Sequence, residues 1–181
     1  MNPILEYWDG IQSGKYIVSK RVYKLYEKLA GEIKAPAGRY IYDETRANRP
    51  IEFIEQFCKH SKGEWAGKPV TLELFQKAFI AALFGFVDVK TGLRKYRETL
   101  FLVARKNGKS TMLAAIALYC MIADDEPGAE IYSTATKRDQ ARLLFDEAQR
   151  MVKQSPALSK YIRKRKTDLY FDAGKIGRAH V

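Results

Sequence analysis

The sequence is 181 residues long, 46% hydrophobic and 12% aromatic, enough for one sizeable core, so one domain with at most a small appendage is expected. Lys and Arg number 32 against 21 Asp and Glu, and the formal charge of +11 points to a polyanionic partner, nucleic acid ahead of an anionic membrane surface. Cys58 and Cys120 are too far apart and too isolated for a disulfide scaffold or a cysteine-built zinc site, and neither a leader pattern nor a membrane-length apolar run is found, so a soluble cytoplasmic protein is expected.

Val18, Val22, Leu25 and Leu29 recur at helical spacing among Lys20, Arg21, Lys24 and Lys28, which predicts an amphipathic helix with a basic face, ended by Gly31. A turn-rich stretch over 34–38 precedes a second helix, marked at its start by Asn48 and Pro50 and carrying the stripe Ile51, Ile54, Phe57 and Cys58. Gly63, Gly67 and Pro69 make the next break. Thr71 and Glu73 then suit the start of a helix bearing Leu72, Phe75, Phe79, Ala82 and Leu83, with Gly85 as its C-cap. From there strand and helix alternate, the pattern of a parallel sheet. The uncharged run at 99–103 is predicted as a central strand, followed by an almost wholly apolar helix over 110–123 that Pro127-Gly128 closes. Residues 129–134 read as a second strand, 138–152 as a long helix with Ala141, Leu144, Phe145, Ala148 and Val152 in register, and Ser155-Pro156 as the opening of a short one. Residues 168–171 read as a third strand.

Between the first strand and its helix stands Ala104-Arg105-Lys106-Asn107-Gly108-Lys109-Ser110-Thr111. A phosphate chain needs N–H groups converging at a helix start, an ammonium bridging the outer phosphates and a hydroxyl for Mg2+. Gly108, Lys109 and Ser110 supply these in that order, while Arg105 and Lys106 add positive charge. The usual phosphate-loop pattern also wants a glycine five residues before Gly108, where this chain has Val103, so the loop is a variant. The competing reading makes Lys106 and Lys109 solvated charges and Gly108 a plain turn residue.

The loop, with an arginine three residues before its glycine and no first glycine, resembles the Walker A loop of the large terminase subunit of tailed bacteriophages. Leu72-Glu-Leu-Phe-Gln76 is similar to that family's adenine-recognising segment, which would place Gln76 against the base. Tyr132 to Ala141 resembles the strand-to-helix segment after the loop, and Phe53 to Phe57 with Lys62-Gly63 has the look of the family's N-terminal region. The resemblance implies a P-loop NTPase of the three-layer α/β class with a mainly parallel sheet, here incomplete. The expected organisation is an N-terminal helical region over 1–66, a partial ATPase domain over 67–175, and a tail over 176–181.

It further implies ATP and Mg2+ as ligands: Lys109 between the β- and γ-phosphates, Ser110 on Mg2+, Arg105 at the γ-phosphate, and Lys106, Asn107, Gly108 and Thr111 around the cradle. The activity implied is ATP hydrolysis driving double-stranded DNA into a prohead, with an endonuclease domain outside this chain. The implied partners are the portal and prohead, the small terminase subunit and further copies in a ring, in the bacterial host cytoplasm. A helicase fragment and a non-enzymatic basic DNA-binding module are the alternatives.

Cys120 to Glu126 imitates a Walker B segment, apolar residues followed by Asp124, Asp125 and Glu126. It continues the helix begun at Ser110, so those acids are expected about 15–20 Å from the phosphates and outside the chemistry. The hydrolytic carboxylates are therefore expected beyond this chain, leaving it a cradle with little turnover of its own. Ile176 to Val181 has no apolar period and reads as what a sequencing adapter encodes, so it is expected to be non-native, with His180 no ligand. His60 lacks partners for a metal site or a triad. Trp8 and Trp65 read as packing residues, and Arg163 to Lys166 as a basic run that is either solvated or a phosphate contact.

Overall fold

The computed structural model describes residues 2–126, 129–164, 168–171 and 178–180. They fall into two compact units interleaved in sequence: 1–51 with 72–101, and 52–71 with 102–181. The Pro127-Gly128 turn, Arg165 and Lys166 of the basic run, and residues 176, 177 and 181 of the tail lie outside the described residues.

The first unit opens on helix α1, Pro3–Gln12, which the apolar spacing did not announce. Its start is nonetheless written in the sequence: the Asn2 side chain accepts from the N–H groups of Ile4 and Leu5, and Pro3 occupies the first turn, where a missing N–H costs nothing. The helix α2, Lys20–Lys34, is capped by Ser19, whose hydroxyl accepts from Val22 N–H. It runs through Gly31 rather than ending there, and the Gly31 carbonyl takes a helical bond from Ala35 N–H at 2.9 Å. Tyr7, Trp8, Tyr26 and Leu29 are buried where these helices meet, with Tyr7 edge-on to Tyr26 at 4.8 Å between ring centres. Lys20, Arg21, Lys24 and Lys28 stay exposed, so the basic face of α2 meets solvent.

The strand β1, Tyr40–Tyr42, pairs antiparallel with β2, Phe86–Asp88, an unpredicted pair of three-residue strands. Helix α3, Glu44–Phe57, begins earlier than Asn48 and Pro50 suggested because Asp43 caps it, its carboxylate accepting from Arg46 N–H at 3.0 Å. Pro50 therefore sits inside the helix, where full burial of its ring offsets the lost donor. Residues 44–51 of α3 belong to the first unit and 52–57 to the second.

Helix α4, Leu74–Gly85, starts with a reciprocal capping box in which Glu73 N–H donates to the Gln76 side chain and the Glu73 side chain receives the backbone N–H of Gln76. Gly85 is its last residue and not a left-handed cap. A Cβ there would lie 2.6 Å from Tyr42 Cε2 and 2.8 Å from Ala47 Cβ, so the glycine permits close approach of β1 and α3. Lys95 is held at the same sheet by Glu32 at 2.7 Å, with its ammonium about equally far from the rings of Tyr40, Phe86 and Tyr96 at 5.4, 5.4 and 5.2 Å.

The central strand expected at 99–103 does not form. Residues 99–101 close the first unit, residues 102 and 103 open the second, and Leu100 and Leu102 are 87% and 90% exposed. An apolar run becomes a strand only when neighbours complete its ladder, and among the described residues no strand pairs with this one. Phe101 instead leans on Phe79, with 4.5 Å between ring centres.

In the second unit, helix α5, Lys109–Ile122, packs on α6, Arg138–Gln154, and Met112 and Leu118 of the one and Phe145 and Met151 of the other are buried. Ser155 caps the short helix α7, Pro156–Tyr161, by accepting from Leu158 N–H. A four-stranded sheet runs in the order β3 (Glu130–Tyr132), β6 (Arg178–His180), β5 (Asp168–Phe171) and β4 (Ile162–Lys164). Only β3 and β6 are parallel; β6 with β5 and β5 with β4 are antiparallel, which departs from the mainly parallel sheet expected. The stretch expected to be a tail thus contributes backbone pairing at the middle of this sheet. No described helix is long and apolar enough to cross a membrane.

Candidate phosphate-binding loop

Residues 104–108 form an exposed loop leading into α5, whose first residues Lys109 and Ser110 are exposed as well. Lys106 and Gly108 both adopt φ of 68°, and left-handed turns two residues apart are the means by which a short loop gathers successive N–H groups on one side. For Gly108 this conformation carries no steric penalty, whereas Lys106 holds it at a cost of about 1–3 kcal/mol. Asn107 braces the turn, its side-chain amide donating to the carbonyls of Ala104 and Arg105, each at 3.2 Å. Gly108 is the N-cap of α5 and offers no side chain to the helix, whose first backbone bond runs from Met112 N–H to Gly108 C=O at 2.9 Å. The N–H groups of Lys109, Ser110 and Thr111 therefore head outward at the positive end of the helix dipole.

Arg105, Lys106, Asn107, Gly108, Lys109 and Ser110 are all exposed, and Thr111 is half-buried. The two adjacent hydroxyls have separate fates. Ser110 stays exposed beside the loop, while Thr111 Oγ1 donates to Glu147 Oε1 at 3.3 Å. Of the two, Ser110 fits a cation bound beside a phosphate chain. Among the described residues no cluster of three or more His, Cys, Asp and Glu side chains is placed to hold a metal.

Asp124, Asp125 and Glu126 lie past Ile122, at the opposite end of a 14-residue helix from Lys109, so about 20 Å of helix separates them from the loop. Gln76 stands in the first unit, 6% exposed, with its carbonyl oxygen taken by the capping box. His60 lies beyond the end of α3 in a hairpin closed by the pairing of Lys59 with Pro69. Trp8 is buried, but Trp65 in that hairpin is 55% exposed, with Lys68 Nζ 4.5 Å from the centre of its ring. Cys58 is buried, and desolvation pushes its thiol up to about 12, so it is no nucleophile.

Sequence reasoning missed Glu147. It is 5% exposed on the buried side of α6, and besides Thr111 it accepts from Ser61 Oγ at 2.6 Å and faces Arg150 Nη2 at 3.3 Å and Lys62 Nζ at 3.9 Å. The signal was present, since an acid three residues after Leu144 and four before Met151 interrupts an apolar stripe.

A curled, cationic loop at the start of an apolar helix in an α/β chain is the arrangement of the P-loop nucleotide-binding class. The family profile described as terminase large subunit, ATPase domain, matches residues 74–171, more than half of the chain. The large terminase subunit of Enterobacteria phage HK97 is 35% identical over 119 residues, covering 65% of this chain and 22% of that protein. The crystal structure of the HK97 bacteriophage large terminase superposes with a TM-score of 0.62 at 30% identity, over 75% of this chain and 26% of that one. The chain belongs to the terminase large subunit ATPase-domain family, and it spans about a quarter of the length of these relatives.

Proposed function

We propose that this chain is the nucleotide-binding part of a phage DNA-packaging ATPase. The observation that carries the reading is the exposed Gly108-Lys109-Ser110 start of α5, lying within the residues that the family profile matches. Lys109 bridges the β- and γ-phosphates, the N–H groups from Gly108 to Thr111 cradle them, and Arg105 and Lys106 offset their charge, with Asn107 holding the turn. Ser110 is the hydroxyl available to Mg2+, which when bound neutralises phosphate charge. Gln76 is the residue that the family resemblance assigns to the adenine. The complete domain is a three-layer α/β fold in which further strands supply the hydrolytic carboxylates, and the whole protein adds the endonuclease.

Double-stranded DNA is the polyanion that the +11 charge of the chain serves, and the portal, prohead, small subunit and ring neighbours in the host cytoplasm are its protein partners. The decisive experiment is Lys109→Ala. Loss of a charge-assisted phosphate contact of about 1.5–3 kcal/mol lowers Mg-ATP affinity about 10- to 150-fold in calorimetric titration. A folded variant with wild-type affinity would refute the phosphate-loop assignment.

A further inference from the structure

We propose that Glu147 is a positioning residue for the phosphate loop, setting the first turn of α5 through the Thr111 hydroxyl and tying it to the 59–69 hairpin. The inference rests on the nucleotide-binding reading above and assigns a residue outside the loop to that site.

One buried carboxylate joins three stretches of chain distant in sequence. Its Oε1 receives Ser61 Oγ from the hairpin and Thr111 Oγ1 from α5, while its Oε2 faces Arg150 on its own helix and Lys62 of the hairpin. A carboxylate so deeply buried is costly even when paired, and an apolar residue in its place commonly leaves a protein as stable or more so. Stability alone therefore gives little reason for an acid at 147; position gives a better one.

The N-cap of α5 is Gly108, which has no side chain with which to anchor the helix start, and the preceding turn is left-handed twice. A threonine in the first turn has two accessible rotamers, one of which bonds back to its own helix. Glu147 selects the other, drawing the hydroxyl to α6. The side chain so fixed is the immediate neighbour of Ser110 and two residues from Lys109, so the N–H groups and side chains that meet the phosphates start from a preset orientation. Ser61, at the shorter distance, holds the same oxygen in place, and itself is 8% exposed.

Thr111→Val keeps the shape and removes the hydroxyl, so it tests the link with little risk to folding, whereas Glu147→Ala strands Arg150 and Lys62 and is read only beside Glu147→Gln. In the 181-residue chain, Thr111→Val is expected to weaken Mg-ATP about 2- to 12-fold, the range for one hydrogen bond, with its urea midpoint close to wild type. In the Glu147→Gln background the same substitution adds less than it does alone, because the two act through one contact. Without nucleotide, amide hydrogen exchange at residues 109–113 is expected to speed up in Thr111→Val, a readout independent of ligand.

Wild-type affinity and unchanged exchange in Thr111→Val, with Lys109→Ala still losing nucleotide, would overturn the role of Glu147 and leave the loop assignment standing. Fully multiplicative effects of the two substitutions would overturn it as well. Wild-type affinity in Lys109→Ala would bring down both.

Discussion

Gly31 and Gly85 both lie in helices of the first unit, yet alanine at the two positions is expected to act in opposite directions. Gly31 is exposed inside α2, and a Cβ there meets nothing within 4 Å. Gly31→Ala removes unfolded-state freedom without strain and should stabilise by about 0.5–1 kcal/mol. At Gly85 the same gain opposes a Cβ placed 2.6 Å from Tyr42 Cε2 and 2.8 Å from Ala47 Cβ. The tyrosine ring can turn away in part, but Ala47 is fixed to the backbone of α3 and has no exposed surface into which to move. Overpacking of this kind costs about 1–3 kcal/mol, and contacts this short to a fixed Cβ fall in the upper half of that range, which after the opposing gain leaves Gly85→Ala about 1–2 kcal/mol less stable. Urea unfolding followed by the fluorescence of Trp8, which is buried in the same unit, reads both. With a slope of about 2 kcal/mol/M, the midpoint should rise by roughly 0.3–0.5 M for Gly31→Ala and fall by about 0.5–1 M for Gly85→Ala. A Gly85→Ala chain as stable as wild type would refute the steric account of that helix end.

Asp88 is held below the usual carboxylate range first by its bond with Arg39 and then by the N–H groups of Thr91 and Lys90. Its stabilisation is therefore present at neutral pH and lost as pH falls through its folded value, so Asp88→Asn should flatten the loss of urea resistance below about pH 4, and parallel wild-type and variant curves would refute this. Gln76→Ala removes half of a capping box and should cost about 0.5–2 kcal/mol in the same assay. As the residue that reads adenine it should also weaken ATP more than GTP, and equal weakening would reduce it to a cap. DNA affinity, measured by anisotropy at about 50 and 200 mM salt, should fall steeply without sequence preference, and a flat response would detach the charge from nucleic acid.

The parts of the molecule legible in the sequence are those whose information is local. α2, α4 and α6 announce themselves because one apolar stripe per helix must be buried, α5 because it is apolar almost all round, and the Gly108-Lys109-Ser110 loop because its chemistry is packed into a few consecutive residues. β1 and β2 are three residues each, too short for alternation to register. The run at 99–103 fails in the other direction: its composition is that of a buried strand, but a strand is a property of its neighbours as well. Pro50 misled because a proline usually opens a helix, whereas Asp43 had already done so. Glu147 shows in the sequence only as an acid interrupting the α6 stripe, and what it does there is not local information, because its partners Thr111 and Ser61 stand 36 and 86 residues away.

That last separation bears on how the chain is made. The first unit has all its residues once Phe101 has emerged, but Glu52–Thr71 belongs with a stretch that begins only at Leu102. During synthesis this segment, whose Phe53 packs on Tyr119 of α5 and whose Ser61 bonds Glu147 of α6, must wait for those partners until α5 and α6 follow. Contacts closed over so long a span form late and slowly, and their apolar residues are open to wrong partners meanwhile. Ribosome pausing before α6 would prolong that interval, and a chaperone that binds short apolar stretches would find a target there.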